Sequence, residues 1–486
     1  MGSSLQRERQ PNSERLRYSN HMFKSRIVLG VVLSVCAWSA SLWAQAVDTI
    51  DPAMKARVDA IAAGVMEQRG VPSASLAVVE HGKLVYTHAY GRAHIDPDQP
   101  ATPDMRYSIG SISKQFTAAA ILLLQERGKL KVDDSVGEYV PGLTRGDEVT
   151  IREILSHTSG YQDYWPEDYL MKPMEQPTTA QEILDHWAKK PLDFDPGTQW
   201  QYSNTNYVIA GLIVEKVSGQ KLMDFLQANI FRPLRMTSVW DSDEQKLTKA
   251  DATPYIRYAL GPLRPAPKEG RGWTYAAGEL AMTAHDLALW DESLIAQSLL
   301  KPESYKEMFT EVNLKDGKGT DYGLGVFTRE SHGHRIISHG GEVTGFVSDN
   351  EVLPDDGVAV AVFTNHMEGG ASQIARLSAR TIAGQNRTKD EEETLAVYRG
   401  LQKGELDRGK LAPNLDAYFD AQTVADFKNS LGSLGEPLTF RKTEESLRGG
   451  MTFRIFRLEY PTRTLGLSTY TYPDSKLEQF LVYPEQ

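Results

Sequence analysis

The sequence predicts an α+β protein with a small C-terminal α+β appendix. At 486 residues the chain exceeds one ordinary hydrophobic core, so it forms two domains or one large domain with an appendix. An amphipathic helix at 52–69 precedes two strands, 73–80 and 83–90, that meet in a hairpin. Near the C-terminus a helical pattern is followed by four strands. These segments lie at 414–430 and then near 438–443, 451–459, 464–471 and 477–483.

The composition is typical of a soluble globular protein that does not bind nucleic acid. Apolar residues make up 41% of the chain and charged residues 24%, both ordinary values for a globular domain. The formal net charge is −11, whereas binding to a phosphate backbone requires a basic surface. We therefore expect no nucleic acid among its partners.

Residues 1–46 have the pattern of an N-terminal extension that ends in a secretory signal peptide. Two basic residues within 24–26 precede an apolar run at 27–33, and Ala46 ends a group of small residues suited to cleavage. The run is too short for a membrane-spanning helix. We expect cleavage near Ala46, a periplasmic or secreted location and no stable membrane anchor afterwards. Met22 is an alternative start, because the residues before it are polar and unpatterned.

Cys36 is the only cysteine, and it lies within the predicted signal peptide. The mature chain would then contain neither a disulfide nor a thiol nucleophile. An exported protein without disulfides fits a bacterial periplasm. A lipid anchor on Cys36 is an alternative, although the bulky Val35 stands where a small residue is expected.

The chemistry is expected to centre on Ser111, which stands three residues before Lys114. Residues 114–124 are rich in Ala and Leu, which predicts a helix that stops at Gly128. Ser111 and Lys114 would then share one face, with Cβ atoms about 5–6 Å apart. Ser111 would also lie at the helix start, where unpaired N–H groups and the helix dipole favour a developing oxyanion. A lysine buried against apolar neighbours such as Phe116 would be neutral enough to act as its base.

A second cluster, Tyr202-Ser203-Asn204, precedes an apolar run at 207–214. A tyrosine at such a position usually only packs. Its chemical interpretation depends on Lys114, because a nearby ammonium would lower the pKa of the phenol and make it a usable base. Asn204 would offer both a donor and an acceptor to a substrate amide.

A third cluster, His339-Gly340-Gly341, precedes an apolar strand at 358–363. Glycines beside a strand allow the backbone to approach a ligand closely. A strand-edge N–H group here would complete an oxyanion hole.

The histidines of this part of the chain raise a metal site as an alternative. They are His332, His334, His339 and His366. No Glu or Asp stands at a recognisable ligand spacing from them. We therefore predict no metal and no cofactor.

Two further features have ordinary structural explanations. His157 follows a predicted short helix and is interpreted as bonding loop backbone rather than as a catalytic group. The segment 161–200 holds three tryptophans, which form aromatic core or the wall of a pocket.

A highly charged run at 386–412 is predicted to be a linker or an exposed helix. It separates a main domain, 47–388, from a C-terminal part, 389–486. Nothing in the C-terminal part indicates chemistry.

Together the three clusters resemble the signatures of the penicillin-recognising serine enzymes. In chain order they are Ser111-Ile112-Ser113-Lys114, Tyr202-Ser203-Asn204 and His339-Gly340-Gly341. The Tyr-x-Asn form resembles the branch of class C β-lactamases, DD-peptidases and family VIII esterases. The resemblance covers roughly residues 50–385, and the C-terminal stretch is similar to the cystatin-like appendices of some members.

The resemblance implies a β-lactamase/transpeptidase-like fold, in which an antiparallel sheet flanked by helices lies beside a helical subdomain. It also implies that Ser111 attacks the carbonyl and becomes acylated, and that Asn204 holds the substrate amide. Lys114 and Tyr202 would share the work of the general base. Which of the two takes the proton stays open, because strongly coupled groups titrate as a unit.

The third motif departs from the pattern of most β-lactamases, which have Lys-Thr-Gly where this chain has His339, Gly340 and Gly341. The resemblance implies that this strand lines the substrate, and that the N–H groups of Ser111 and Glu342 form the oxyanion hole. A histidine is mostly neutral at pH 7, and Gly340 has no hydroxyl. Capture of a substrate carboxylate is therefore weakened.

We predict an exported serine hydrolase that forms an acyl-enzyme on small esters or amides, of the esterase or D-amino-acid peptidase type. One alternative is DD-carboxypeptidase or β-lactamase action on cell-wall peptides or penicillins. Another is a binding protein that has the fold without turnover. The expected partner is a small ester, amide or peptide substrate, and the oligomeric state is left open.

Overall fold

The computed structural model describes residues 47–245, 247–331, 334–384, 387–460 and 462–485. The predicted signal peptide, with Cys36, lies outside these residues, and so does His332. Within the described ranges, no helix has both the length and the apolar character needed to cross a membrane.

The elements are numbered in chain order. The helices are α1 (Pro52–Arg69), α2 (Ser113–Glu126), α3 (Ile151–Leu155), α4 (Ala180–Ile183), α5 (Asn204–Ser218), α6 (Leu222–Leu226), α7 (Ala284–Ala296), α8 (Pro302–Phe309), α9 (Ala371–Ala383), α10 (Lys389–Lys403), α11 (Pro413–Tyr418) and α12 (Ala421–Leu431). The strands are β1 (Ser73–Glu80), β2 (Lys83–His94), β3 (Gln99–Pro100), β4 (Tyr107–Ser108), β5 (Trp240–Asp241), β6 (Tyr255–Ile256), β7 (Arg264–Pro265), β8 (Leu280–Met282), β9 (Phe327–Ser331), β10 (His334–Val343), β11 (Phe346–Leu353), β12 (Val358–Thr364), β13 (Thr439–Arg448), β14 (Met451–Tyr460), β15 (Arg463–Thr471) and β16 (Leu477–Pro484).

An antiparallel sheet in the order β3-β2-β1-β12-β11-β10-β9 forms the centre of the main domain. Side chains alternate between the faces of a strand, and β12 is buried on both of them. Val360 packs into a core that α1 and α9 complete, whereas its neighbour Ala361 packs into a second core with α2 and α7. The predicted antiparallel sheet flanked by helices is confirmed.

The first elements lie where the sequence predicts them, except that β2 continues past the predicted end at residue 90 to His94. Helix α1 spans the predicted range, and the carboxylate of Asp51 accepts two N–H groups of its first turn. Strands β1 and β2 meet at His81-Gly82, where φ is +52° and +69°. Two successive residues with positive φ are typical of a tight hairpin turn.

Helix α2 is buried along almost its whole length and fixes the position of Lys114. The Phe116 ring lies 4.7 Å from the ring of Trp290 and 5.4 Å from that of Phe231, measured between centroids. The predicted stop is confirmed, because Gly128 has φ of +65° and its N–H donates to the Gln125 carbonyl oxygen at 2.8 Å.

The charged run near residue 389 forms helix α10. Thr388 caps it, since its hydroxyl accepts the Glu391 N–H and the Glu391 carboxylate accepts the Thr388 N–H. An apolar face with Leu395 and Leu401 packs into a separate core under the sheet β13-β14-β15-β16. The helix is thus amphipathic, with its charges on the outer face.

The four C-terminal strands match the predicted segments to within a few residues. They are connected to helices α1 and α9 through Leu438, whose carbonyl oxygen accepts from Arg57 Nη2 at 2.8 Å and from Thr381 Oγ1 at 3.2 Å. The division of the chain at 388–389 stays a prediction.

Candidate active site

Ser111 lies on a turn between β4 and α2. The turn is a 3₁₀ helix, Gly110–Ile112, and it is tied to β8 because the Ile109 N–H donates to a carbonyl oxygen of that strand at 2.9 Å. Gly110 has φ of +51°, and a Cβ atom on it would lie only 2.6 Å from Glu342 N. A glycine at this position lets β10 approach the turn that carries Ser111.

Lys114 is fully buried next to Ser111. Its Nζ lies 2.8 Å from each of three oxygens: Ser111 Oγ, Asn204 Oδ1 and the carbonyl oxygen of Ala277. Burial lowers the pKa of Lys114 to about 7, and the negative charge of Asp163 partly offsets this effect. The expectation that burial makes this lysine a usable base is consistent with that pKa.

Tyrosine rings surround the Lys114 amine, rather than the phenylalanine expected from the sequence. The Nζ atom lies 4.9 Å from the centroid of the Tyr202 ring and 5.5 Å from that of Tyr207. Phe116 packs instead against the rings of α7 and the segment after α6. Its side chain points away because residues two apart face different sides of a helix.

The pKa of Tyr202 differs in direction from the expectation. We expected Lys114 to lower it, but burial raises it well above the ordinary value of a phenol, with a hydrogen bond to Ser111 as a partial offset. Lys114 has a pKa of about 7, so it is already neutral at the higher pH at which a phenol loses its proton. It therefore supplies little positive charge to stabilise a phenolate. The expectation of a lowered phenol pKa is therefore wrong.

Asn204 begins α5 and connects Lys114 to an aspartate that the sequence did not reveal. Its Oδ1 accepts from Lys114, while its backbone N–H donates to Asp163 Oδ1 at 2.9 Å and its Nδ2 donates to Asp163 Oδ2 at 3.3 Å. Burial raises the pKa of Asp163. A single aspartate within an aromatic segment carries no signal of this role in the sequence.

His157 is buried and contacts the cluster Tyr202-Ser203-Asn204. Its Nδ1 accepts the Ser203 N–H at 3.1 Å, and its ring lies 4.2 Å from the Tyr202 ring between centroids. Burial lowers its pKa well below the ordinary value, so the ring is neutral. This contact agrees with the interpretation that His157 bonds backbone.

His339 is buried behind Tyr202 rather than in the pocket lining. Its Nε2 lies 2.8 Å from the Tyr322 hydroxyl, and its ring lies 6.2 Å from the Tyr202 ring between centroids. Burial lowers the pKa of His339 to about 3. The imidazole is therefore uncharged at neutral pH.

The two glycines of the third motif differ in their surroundings. A Cβ atom on Gly341 would lie 1.9 Å from the Ile109 carbonyl oxygen, whereas one on Gly340 would meet nothing closer than 3.7 Å. Gly341 thus allows β10 to pack against the residues that precede Ser111. The glycines were expected to let a ligand approach the backbone closely. At Gly341 it is the Ile109 backbone that makes this close approach.

The site opens into a cavity of about 480 Å³. Ser111, Tyr202, Asn204 and Glu342 line it, and Lys114 lies directly beneath. The segment 163–170 also lines it, so the inserted aromatic segment contributes a pocket wall. The cavity is lined by Ser111, Asp163, Tyr164, Trp165, Pro166, Glu167, Asp168, Tyr169, Leu170, Gln201, Tyr202, Asn204, Thr274, Ala277, Gly278, Glu342, Val343, Thr344 and Met367.

The described histidines of the metal alternative have different neighbours. His334 Nδ1 pairs with Asp356 at 2.8 Å, and His339 contacts Tyr322. In the ranges that the structure describes, no three His, Cys, Asp or Glu side chains are grouped as metal ligands.

The sequence and the fold have clear counterparts among known proteins. The family model described as "Beta-lactamase" matches residues 58–385. The chain belongs to the beta-lactamase family.

Two curated relatives and one solved structure illustrate the similarity. The chain is 30% identical over 292 residues to penicillin-binding protein 4* of Bacillus subtilis (strain 168), covering 56% of this chain and 63% of that protein. It is 29% identical over 308 residues to the D-aminopeptidase of Brucella anthropi, covering 63% of this chain and 58% of that protein. The chain thus spans less than two thirds of the length of either relative.

The structure of the octameric penicillin-binding protein homologue from Pyrococcus abyssi aligns with a TM-score of 0.62 at 22% identity. The alignment covers 88% of this chain and 99% of the other. At this identity the match supports the fold alone, and it extends beyond the range of the family model.

The contact between β10 and the turn that carries Ser111 gives a prediction for stability. Gly341→Ala should lower the free energy of unfolding by about 1–3 kcal/mol, because its methyl group overpacks against the Ile109 carbonyl. Denaturant titration measures this change. Gly340→Ala is the matched control and should be close to neutral, since its methyl group has room. Equal stabilities of the two variants would contradict the packing argument.

Proposed function

We propose that the protein is a serine hydrolase that acts through an acyl-enzyme on small amides or esters. The observation that carries the proposal is the 2.8 Å contact between Lys114 Nζ and Ser111 Oγ at the base of a cavity of about 480 Å³. A nucleophile with an adjacent base in a pocket of that size is the arrangement that acyl transfer needs.

The hydrogen bonds of Lys114 support its role as the base. An uncharged amine has two N–H groups and one lone pair. Asn204 Oδ1 and the Ala277 carbonyl oxygen can only accept, so they take the two N–H groups. The lone pair then faces Ser111, the partner with a hydroxyl hydrogen to donate.

The reaction follows from this arrangement. Ser111 Oγ attacks the carbonyl carbon while its proton passes to Lys114, and the N–H groups of Ser111 and Glu342 stabilise the oxyanion. The leaving amine or alcohol departs with a proton from the ammonium, directly or through the Tyr202 hydroxyl. Water then attacks the acyl-serine, its proton returns by way of Lys114, and Ser111 regains its hydrogen.

The names of the relatives support an amide or peptide with a D-amino acid as the substrate. The D-aminopeptidase of Brucella anthropi is 29% identical over 308 residues. A second candidate, action on cell-wall peptides or penicillins, is favoured by the similarity to penicillin-binding protein 4*. The first candidate is preferred because no lysine or arginine is among the described residues that line the pocket, and a substrate carboxylate would lack a cation.

Ser111→Ala should abolish hydrolysis of a short-chain nitrophenyl ester and of D-amino-acid nitroanilides, because the acyl acceptor is lost. Turnover is followed by release of nitrophenol or nitroaniline, and circular dichroism checks that the fold is retained. Ser298→Ala, at an exposed serine, is the matched control and should keep wild-type rates. Turnover by the Ser111 variant would remove this residue from the mechanism.

The pH dependence should identify the base. Raising the pH through about 7 removes the proton from Lys114, so kcat/KM should rise to a plateau with a midpoint near that pH. Asp163→Asn should move the midpoint to lower pH, because Asp163 favours the charged lysine.

Lys114→Ala and Tyr202→Phe should each cost at least about 10²-fold in kcat/KM. A midpoint above the ordinary pKa of a phenol, absent in Tyr202→Phe, would instead assign the base to the tyrosine.

We also propose that the protein is exported to the periplasm or secreted, with cleavage after Ala46. The support is the basic and apolar pattern of residues 22–46. Expression of the full chain in a Gram-negative host should give a periplasmic product that begins at Val47, as measured by intact-mass spectrometry after fractionation. An uncleaved cytoplasmic product would contradict export.

A further inference from the structure

The walls of the active-site pocket carry negative charge without a matching cation. The charged side chains among the described lining residues are all acidic: Asp163, Glu167, Asp168 and Glu342. Asp163 is engaged by Asn204. No hydrogen bond or ion pair from a described side chain reaches the other three carboxylates, and one oxygen of Glu167 is buried without a partner.

Glu342 and Asp168 line the cavity from two different segments of the chain. Glu342 follows the third motif on β10, and Asp168 lies in the segment 163–170. Partial burial and the negative charge of Asp168 both raise the pKa of Glu342. Two like charges held near each other are stabilised by a cation between them.

The remaining lining suits an organic cation. Trp165 and Tyr169 lie in the same segment as Asp168 and line the cavity, and aromatic faces attract ammonium groups. Leu170, Val343 and Met367 supply apolar surface for a side chain. Aromatic and apolar groups do not ligate a hard metal ion, and the described residues hold no group of three metal ligands.

Glu342 also has the right place along the chain for this task. Its backbone nitrogen lies next to Gly110, as the 2.6 Å approach to a Cβ there demonstrates. A cation beside the Glu342 side chain would therefore lie near the carbonyl that Ser111 attacks. An α-aminoacyl ester or amide has its amine one carbon away from that carbonyl.

We propose that Glu342 and Asp168 form an ammonium site, so that the pocket accepts esters or amides whose acyl part carries a free, protonated amine. The inference rests on the proposed function, because it assigns a substrate class to the same pocket. In this proposal the two carboxylates, and not the residues of the three sequence motifs, determine which acyl groups the pocket accepts.

The first test measures binding and needs no turnover. In the full chain carrying Ser111→Ala, leucinamide and N-acetyl-leucinamide are compared, each as the D and the L form, by ligand-observed NMR and calorimetry at low salt. We expect Kd for the free amine of the better-bound enantiomer to be at least about tenfold lower, and the difference to shrink in high salt. Equal affinities, or binding of neither compound, would overturn the ammonium site.

Variants then locate the site. In the same background, Glu342→Gln and Asp168→Asn should each reduce the preference for the free amine to within about threefold, because one negative charge is removed. Glu67→Gln, on the exposed face of α1 at the opposite side of the sheet, is the matched control and should keep the full preference. A preference that survives both pocket variants would overturn the assignment.

Kinetics with Ser111 intact separates the two claims. The ratio of kcat/KM for leucine nitroanilide to that for its N-acetyl form should favour the free amine at least about tenfold and fall in Glu342→Gln. Failure to hydrolyse either compound, together with selective amine binding, contradicts the hydrolase and supports the ammonium site. Equal hydrolysis of both forms supports the hydrolase and overturns the ammonium site.

Discussion

Burial of the Lys114 amine is the constraint on which the rest of the site depends. A pKa lowered from 10.5 to about 7 corresponds to roughly 5 kcal/mol in favour of the amine over the ammonium. Such a group is stable only if its surroundings satisfy it as an amine, with two acceptors and one donor. The three oxygens at 2.8 Å meet this requirement. The acceptors are an amide and a backbone carbonyl, and the donor is the Ser111 hydroxyl.

Those three partners come from distant parts of the chain, so the complete fold is needed to assemble the site. Ser111 stands on the turn before α2, Asn204 begins α5 and Ala277 lies in the loop before β8. Two glycines allow β10 to pack against this part of the site. Gly110 and Gly341 let the backbone of β10 pack against the backbone of the turn that carries Ser111. This packing fixes the Glu342 N–H group next to Ser111.

Much of the fold could be predicted from local patterns. Helix α1, the β1–β2 hairpin and the four C-terminal strands have strong periodicity and clear turn residues, and they lie where the sequence indicated. The charged run before α10 was ambiguous, because its density of charge hides an apolar stripe with residues such as Leu395. Only its packing against the C-terminal sheet decides between a linker and a helix.

The motifs predicted that Ser111, Tyr202 and Asn204 lie around Lys114. They predicted neither that His339, Gly340 and Gly341 lie outside the cavity lining nor the electrostatics of the site. The direction of the Tyr202 pKa depends on how deeply the phenol is buried and on whether Lys114 is charged, and both are tertiary properties. Asp163 has no motif, and it enters the site only because its segment folds over the start of α5. The buried position of His339 likewise involves Tyr322. This residue is 17 positions away in the sequence but contacts His339 in the structure.

The electrostatics of the pocket connect substrate choice to the base. With a pKa of about 3, His339 supplies no cation at neutral pH, and the described charged groups that line the cavity are carboxylates. The negative charge of Asp163 favours a charged Lys114, which opposes any use of this lysine as a base. A substrate ammonium held near Glu342 and Asp168 would neutralise part of that field and lower the pKa of Lys114. The base would then be most active when the pocket is occupied by the substrate it selects, because the same charge both binds the substrate and releases the lysine proton.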